Sequence, residues 1–153
     1  MRRVRSIVSA GVLGGVIAAC AAREPVMTSR PVEVQNLIGS EWLAEDIDGG
    51  GVAGNSHSTL RFAAADHVDG DTGCNRFMGP LAAEGQSIRI GPLATTRRAC
   101  APALMDQERR YLVALARGSG LRLDGALLVL LDESQQPLVR YSRVDPTAIP
   151  TRP

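Results

Sequence analysis

Two cysteines, Cys74 and Cys100, carry the chemistry that the sequence constrains most. The chain has three cysteines, and the third, Cys20, closes an N-terminal apolar segment that reads as an export signal. Setting Cys20 aside leaves an even pair in a chain bound for an oxidising compartment, which favours a disulfide over a pair of reduced, buried thiols. A redox-active dithiol is disfavoured because no Cys-x-x-Cys spacing is present. The bond would close a loop of about 27 residues and stabilise the fold by roughly 3.5 kcal/mol through chain entropy.

The remaining chemistry-bearing residues do not assemble into a site. Asp66-His67-Val68-Asp69-Gly70-Asp71 brings carboxylates together as a calcium loop would, but without the EF-hand spacing or its terminal Glu. Strand alternation places Asp69 and Asp71 on one face and Val68 and Gly70 on the other, the pattern of a solvated hairpin. His57 and His67 are the two histidines, and a zinc site would require them to converge with a carboxylate. They read as surface residues, and no metal or cofactor is expected. Ser56-His57-Ser58 has no positioned carboxylate, and the chain has no Gly-x-Ser-x-Gly elbow. Asp48-Gly49-Gly50-Gly51-Val52-Ala53-Gly54-Asn55 lacks the Lys-Ser/Thr ending and following helix of a phosphate cradle, so it reads as a mobile hairpin loop. An enzyme is therefore not expected.

The N-terminus specifies an address. Arg2, Arg3 and Arg5 precede the apolar stretch Ile7 to Ile17, which is about half the ~20 residues a membrane-spanning helix needs. The ending Ile17-Ala18-Ala19-Cys20 resembles the lipobox of bacterial lipoproteins, which implies a signal peptide over 1–19 and lipidation of Cys20. Such a protein sits on a membrane without crossing it. Ala21 rather than Asp after the cysteine suggests, by analogy with enterobacterial sorting, the outer membrane, facing the periplasm.

With 153 residues, one domain follows the signal. Aromatics are 3% of the chain, too few for a base-stacking platform. The 17 basic residues fall to 14 once Arg2, Arg3 and Arg5 are removed, against 16 acidic ones, for a net charge of −2. Nucleic acid is not an expected partner.

Residues 20–36, with Pro25 and Pro31 and no apolar periodicity, read as a lipidated cysteine and flexible tether. Residues 145–153 read as a disordered tail. Between them, 37–144 alternate as short strands: Trp42 to Ile47, Ser58 to Ala63, Val68 to Thr72, Phe77 to Ala83, Ile88 to Ile90, Leu93 to Thr96, Leu121 to Leu123, Ala126 to Leu131 and Leu138 to Val144. Leu127-Leu128-Val129-Leu130-Leu131 does not alternate, so it should be covered on both faces as a central strand. One helix is expected from Pro102 to about Arg117, with Gly118 as its stop and a stripe of Leu104, Met105, Glu108, Tyr111, Leu112 and Leu115. This predicts a mainly β (α+β) fold, a strongly bent antiparallel sheet or small barrel with one helix packed against it.

Gly73-Cys74-Asn75-Arg76-Phe77, then Thr95-Thr96-Arg97-Arg98-Ala99-Cys100, then Met105 and Glu108, resemble the motif series of META domains, the HslJ-like bacterial envelope proteins. Trp42-Leu43, Thr59-Leu60-Arg61-Phe62 and the strand Leu127 to Asp132 fall in matching order, so the resemblance covers about Leu37 to Val144. The Arg97-Arg98 pair departs from the commoner single basic residue followed by an apolar one. The resemblance implies a compact, barrel-like β domain, linked in HslJ-like proteins to heat-shock expression and novobiocin tolerance, with no established enzymatic activity. The expected role is a non-catalytic envelope lipoprotein acting in stress or antibiotic tolerance through contacts with envelope proteins. The competing expectation is a binding module whose bent sheet encloses a small apolar ligand. Glu108, in the middle of the helix stripe, should face the sheet and pair with Asn75, Arg76, Arg97 or nearby backbone N–H groups, since an ionised carboxylate is costly to bury alone.

Overall fold

The computed structural model describes residues 29–54 and 56–147. The signal segment, Cys20 and residues 148–153 of the tail lie outside them. Ten strands form one antiparallel sheet: β1 (Ser29–Pro31), β2 (Glu41–Ile47), β3 (Thr59–Ala64), β4 (His67–Asp71), β5 (Arg76–Glu84), β6 (Ser87–Ile90), β7 (Ala94–Thr95), β8 (Gly120–Asp124), β9 (Leu127–Leu131) and β10 (Pro137–Arg143). Among the described residues a single α-helix, α1 (Pro102–Arg117), and a 3-10 turn, Val34–Leu37, complete it. The mainly β fold with one helix is as the alternation predicts.

The pairings run β8-β6-β5-β4-β3-β2-β10-β9, and β9 also pairs with β8, so eight strands return on themselves as a strongly curved ring. The closing contact is slender, a single Ser87–Gly120 pair between β6 and β8. Alternate residues point inward because side chains on a strand alternate faces. Leu60, Phe62, Val68, Phe77, Leu81, Leu128, Leu130 and Tyr141 fill the core. The ring interior is thus packed with side chains, so an apolar ligand would have to occupy an outer cleft.

β9 is buried on both faces over Leu128–Leu131. Leu128 and Leu130 belong to the core. Val129 lies in register between Arg122 of β8 and Arg140 of β10, whose aliphatic stems can shield it from water while their charged ends reach solvent.

The domain begins earlier than the sequence suggests. Residues 29–36, read as part of the tether, are folded: β1 pairs with β8 through Ser29–Asp124, Arg30–Leu123 and Pro31–Arg122. Val32 and Val34 are buried. Three apolar residues spaced 32, 34 and 37 are too short a pattern to stand out from a Pro-containing segment, yet they anchor the chain on the core.

The helix spans the predicted residues but is turned. Its buried residues are Gln107, Tyr111, Ala114 and Leu115, while Met105 is 49% exposed and Leu112 is only partly buried. Its C-terminus also ends for a different reason from a left-handed glycine cap, since Gly118 has φ −58°. A Cβ there would lie 2.7 Å from Leu130 Cδ1. Close approach of the helix end to β9 requires the missing side chain.

Candidate functional site

The polar residues that the motifs single out meet where α1 passes the turn between β4 and β5. Gly73 takes φ +91° in that turn, a conformation open to glycine at little cost. Thr72 N donates to Asn75 O at 2.8 Å, and Thr72 Oγ1 accepts from Asn75 N at 2.8 Å. The turn therefore holds the Asn75 side chain towards the helix, and Asn75 is 3% exposed.

Asn75 uses its whole amide. Its Nδ2 donates to Glu108 Oε2 at 2.9 Å and to Arg98 O at 3.3 Å. Its Oδ1 accepts from Arg98 N at 2.7 Å and from Thr96 Oγ1 at 2.9 Å. Thr96 Oγ1 in turn accepts from Arg76 N at 3.1 Å. One side chain thus joins the β4–β5 turn, the segment after β7 and the helix. Each donor and acceptor has a partner, as a buried amide requires.

Glu108 also accepts from Thr72 Oγ1 at 2.6 Å. Thr72 is fully buried, and its hydroxyl oxygen already accepts from Asn75 N. A threonine beside a carboxylate could suggest an activated nucleophile, but burial denies this hydroxyl to any substrate. Of the expected partners of Glu108, Asn75 is found. Arg76 and Arg97 are not, because both side chains point outward and are exposed. Thr95 sits opposite Phe77 in the β5–β7 pairing and belongs to the edge, outside the polar cluster.

Cys74 and Cys100 form a disulfide with a Cα–Cα distance of 6.0 Å, inside the usual range. It clamps the same two segments that Asn75 bridges.

A second buried group was not anticipated. Gln107 is fully buried; its Nε2 donates to Ser56 Oγ and Ser58 Oγ, each at 2.9 Å, and its Oε1 accepts from Ala53 N at 2.5 Å. Ser58 Oγ donates in turn to Thr72 O at 2.8 Å. The signal was present in the spacing: Gln107 lies three residues after Leu104 and four before Tyr111, on one helix face. Its polarity hid it.

These bonds also recast the glycine-rich segment. The reading as a mobile loop does not fit a segment held by Gln107 and by Asp46, whose carboxylate accepts from Gly49 N at 3.0 Å and Gly51 N at 2.8 Å. Arg110 Nη1 adds a bond to Ile47 O at 2.9 Å.

The acidic turn is engaged as well. Asp69 takes two bonds from Arg61, at 2.7 and 2.6 Å, and Asp71 accepts from Gly73 N at 2.7 Å. His57 precedes β3 and His67 lies opposite Ala64 at its far end, so the length of β3 separates them. Among the described residues no three His, Cys, Asp or Glu side chains gather as metal ligands, and no helix is long and apolar enough to cross a membrane.

Deeper in, Tyr141 OH donates to Tyr111 OH at 3.2 Å, and Tyr111 OH donates to Thr59 O at 3.1 Å. Burial pushes both phenols up, Tyr111 strongly.

The META domain family model matches residues 35–145. An NMR structure of a protein from Burkholderia xenovorans superposes with a TM-score of 0.58 at 24% identity, covering 72% of this chain and 86% of that one. A second NMR structure gives the same score and identity and covers 94% of its own chain. At this identity they show a shared fold. No curated protein matches the chain.

Proposed function

The chain belongs to the META domain family, and on that footing we propose that it is a non-catalytic lipoprotein of the bacterial cell envelope, anchored through Cys20 and acting in stress or antibiotic tolerance by contacting envelope proteins. The observation that carries the non-catalytic part is the saturation of the Asn75 amide, whose four hydrogen bonds all go to the protein itself. A catalytic carboxylate or amide must keep a free direction for substrate, and the motif residues instead hold the helix to two loops. The Cys74–Cys100 bond supports an exported location, since disulfides persist in oxidising compartments. The Ile17-Ala18-Ala19-Cys20 ending supports the lipid anchor, and Ala21 supports the outer membrane.

Mass spectrometry of the N-terminal peptide from the membrane fraction tests the anchor. A lipid-modified Cys20 is expected, and a peptide starting elsewhere, or an unmodified Cys20, overturns it. Crosslinking in intact cells followed by pull-down of the chain tests the contact role, which fails if no envelope protein is captured reproducibly.

A further inference from the structure

Among the described residues the strand β7 pairs with β5 alone, which leaves its other edge without a strand. Thr96 N donates to Arg76 O at 3.0 Å, and Thr95 lies opposite Phe77. In an antiparallel pair that register makes Phe77–Thr95 the non-hydrogen-bonded position, so the N–H and C=O of Thr95 point away from β5. Leu93 and Arg97, two residues to either side, would present their backbone groups to the same side if the strand conformation continues. None of the three makes a backbone hydrogen bond outside the sheet pairings among the described residues. A row of unpaired main-chain groups on an open edge is a template for another strand.

Beside this edge runs a cleft of about 530 Å³ floored by Ile90, Pro92, Leu93, Leu112 and Ala116. The same turn of the helix that buries Gln107 leaves Leu112 only partly covered and brings it to this cleft. Arg97 and Arg98 are exposed and continue the chain from β7, and Arg89 lines the cleft itself; Arg76 faces the other way, opposite Asp71 in a cleft with Glu41 and Asp69. Neither Arg89, Arg97 nor Arg98 forms an ion pair with a described carboxylate, whereas Arg61, Arg109, Arg110, Arg117 and Arg122 all do.

We infer that the β7 edge is a docking site for an extended segment of a partner polypeptide, one that alternates apolar residues with carboxylates. Main-chain bonds to Thr95 supply affinity, alternate apolar side chains enter the cleft, and the carboxylates between them meet Arg89, Arg97 and Arg98. Adding a strand needs no rearrangement of β5, because the groups used face away from it. The inference gives the contact role proposed above its surface, and depends on that role for its biological use.

The test is binding of a fluorescent peptide that alternates valine with glutamate to the purified full chain, against a control in which lysine replaces glutamate. Expected are preferential binding of the acidic peptide, weakening with added salt, and a loss of about tenfold or more in Thr95→Pro, which removes an outward N–H and leaves the bonds to β5 intact. Arg97→Glu combined with Arg98→Glu should reverse the preference, with melting temperature reported for each variant to show that it folds. Equal binding of both peptides, or unchanged binding by a folded Thr95→Pro variant, overturns the inference. So does a dimer in sedimentation that Thr95→Pro dissolves, which would assign the edge to a second copy, or a gain in peptide binding on deleting residues 148–153, which would assign it to the chain's own tail. If the peptide fails while in-cell crosslinking still captures an envelope protein, the contact role stands and this surface is wrong. Capture failing while the peptide binds indicts the role instead.

Discussion

Glu108 reaches Asn75 across the helix–turn boundary, accepting from its Nδ2 at 2.9 Å through a carboxylate that also accepts a hydrogen bond from the Thr72 hydroxyl. Two of the chain's motif positions thus complete each other. Glu108→Ala removes one of the two acceptors of the buried Asn75 amide, leaving it Arg98 O, and shifts the Thr72 hydroxyl from its 2.6 Å bond to the longer one with Asn75 O. A loss of about 2 kcal/mol or more in urea unfolding is expected, in line with unsatisfied buried groups. Glu108→Gln keeps an acceptor and should lose less. A change within ~0.5 kcal/mol for Glu108→Ala would place the carboxylate among inert surface groups.

The disulfide acts on the same segments. Its loop, with a sequence separation of 26, corresponds to about 3.5 kcal/mol in the chain-entropy model. Cys74→Ala and Cys100→Ala should each lower stability by that order. Because either change opens the same loop, the double variant should be no worse than about the single ones. Unfolding with and without reductant measures it, and a thiol count on exported protein shows whether the bond is formed.

Gln107 should be less replaceable than its polarity suggests. Truncation to Ala strands Ala53 N–H and removes the donor for Ser56 and Ser58, so a loss of about 2–4 kcal/mol is expected. Gln107→Leu restores the volume but not the bonds, and should recover only part of it. Hydrogen exchange at Ala53 would rise in both variants, because its N–H loses its acceptor. Unchanged protection there would mean the Gly-rich segment is held by Asp46 and Arg110 alone.

The strands were legible because their apolar residues alternate and their turns carry Glu84-Gly85 and Asp124-Gly125. All nine predicted strands have a counterpart, from β2 to β10. The helix limits were legible too, since Pro102 and Gly118 mark them. Its rotation was not: Met105 and Leu112 share a face with Leu104 and Leu115 at helical spacing, and only the packing against Tyr141 and the turn at Gly73 decides that Gln107 turns inward. The entry segment was hidden by Pro31, which suits both a tether and an edge strand. The Asn75–Glu108 contact could be named because a carboxylate near an apolar stripe demands a donor. The arginines were poor candidates, since sheet alternation turns Arg76 to solvent beside buried Phe77.

Alkaline pH should expose the tyrosine pair. Both phenols are fully buried with raised pKa values, and desolvation is the first cause in each. Unfolded tyrosine ionises near pH ~10. Below that pH the phenols are neutral in both states and stability does not depend on them. Above it the unfolded chain releases two protons that the native chain retains, so stability falls as pH rises, by about 1.4 kcal/mol per pH unit for each tyrosine, until the native phenols ionise as well. Tyr141→Phe removes one ionisation and should halve the slope, while leaving Tyr111 its bond to Thr59 O. Tyr111→Phe should cost more at neutral pH, since Tyr141 OH then loses its acceptor and Thr59 O its donor. Urea midpoints from neutral to strongly alkaline pH, with tyrosinate absorbance recorded alongside, measure both effects. A flat profile above pH ~10, or tyrosinate absorbance appearing at that pH in the folded protein, would show that water reaches the phenols.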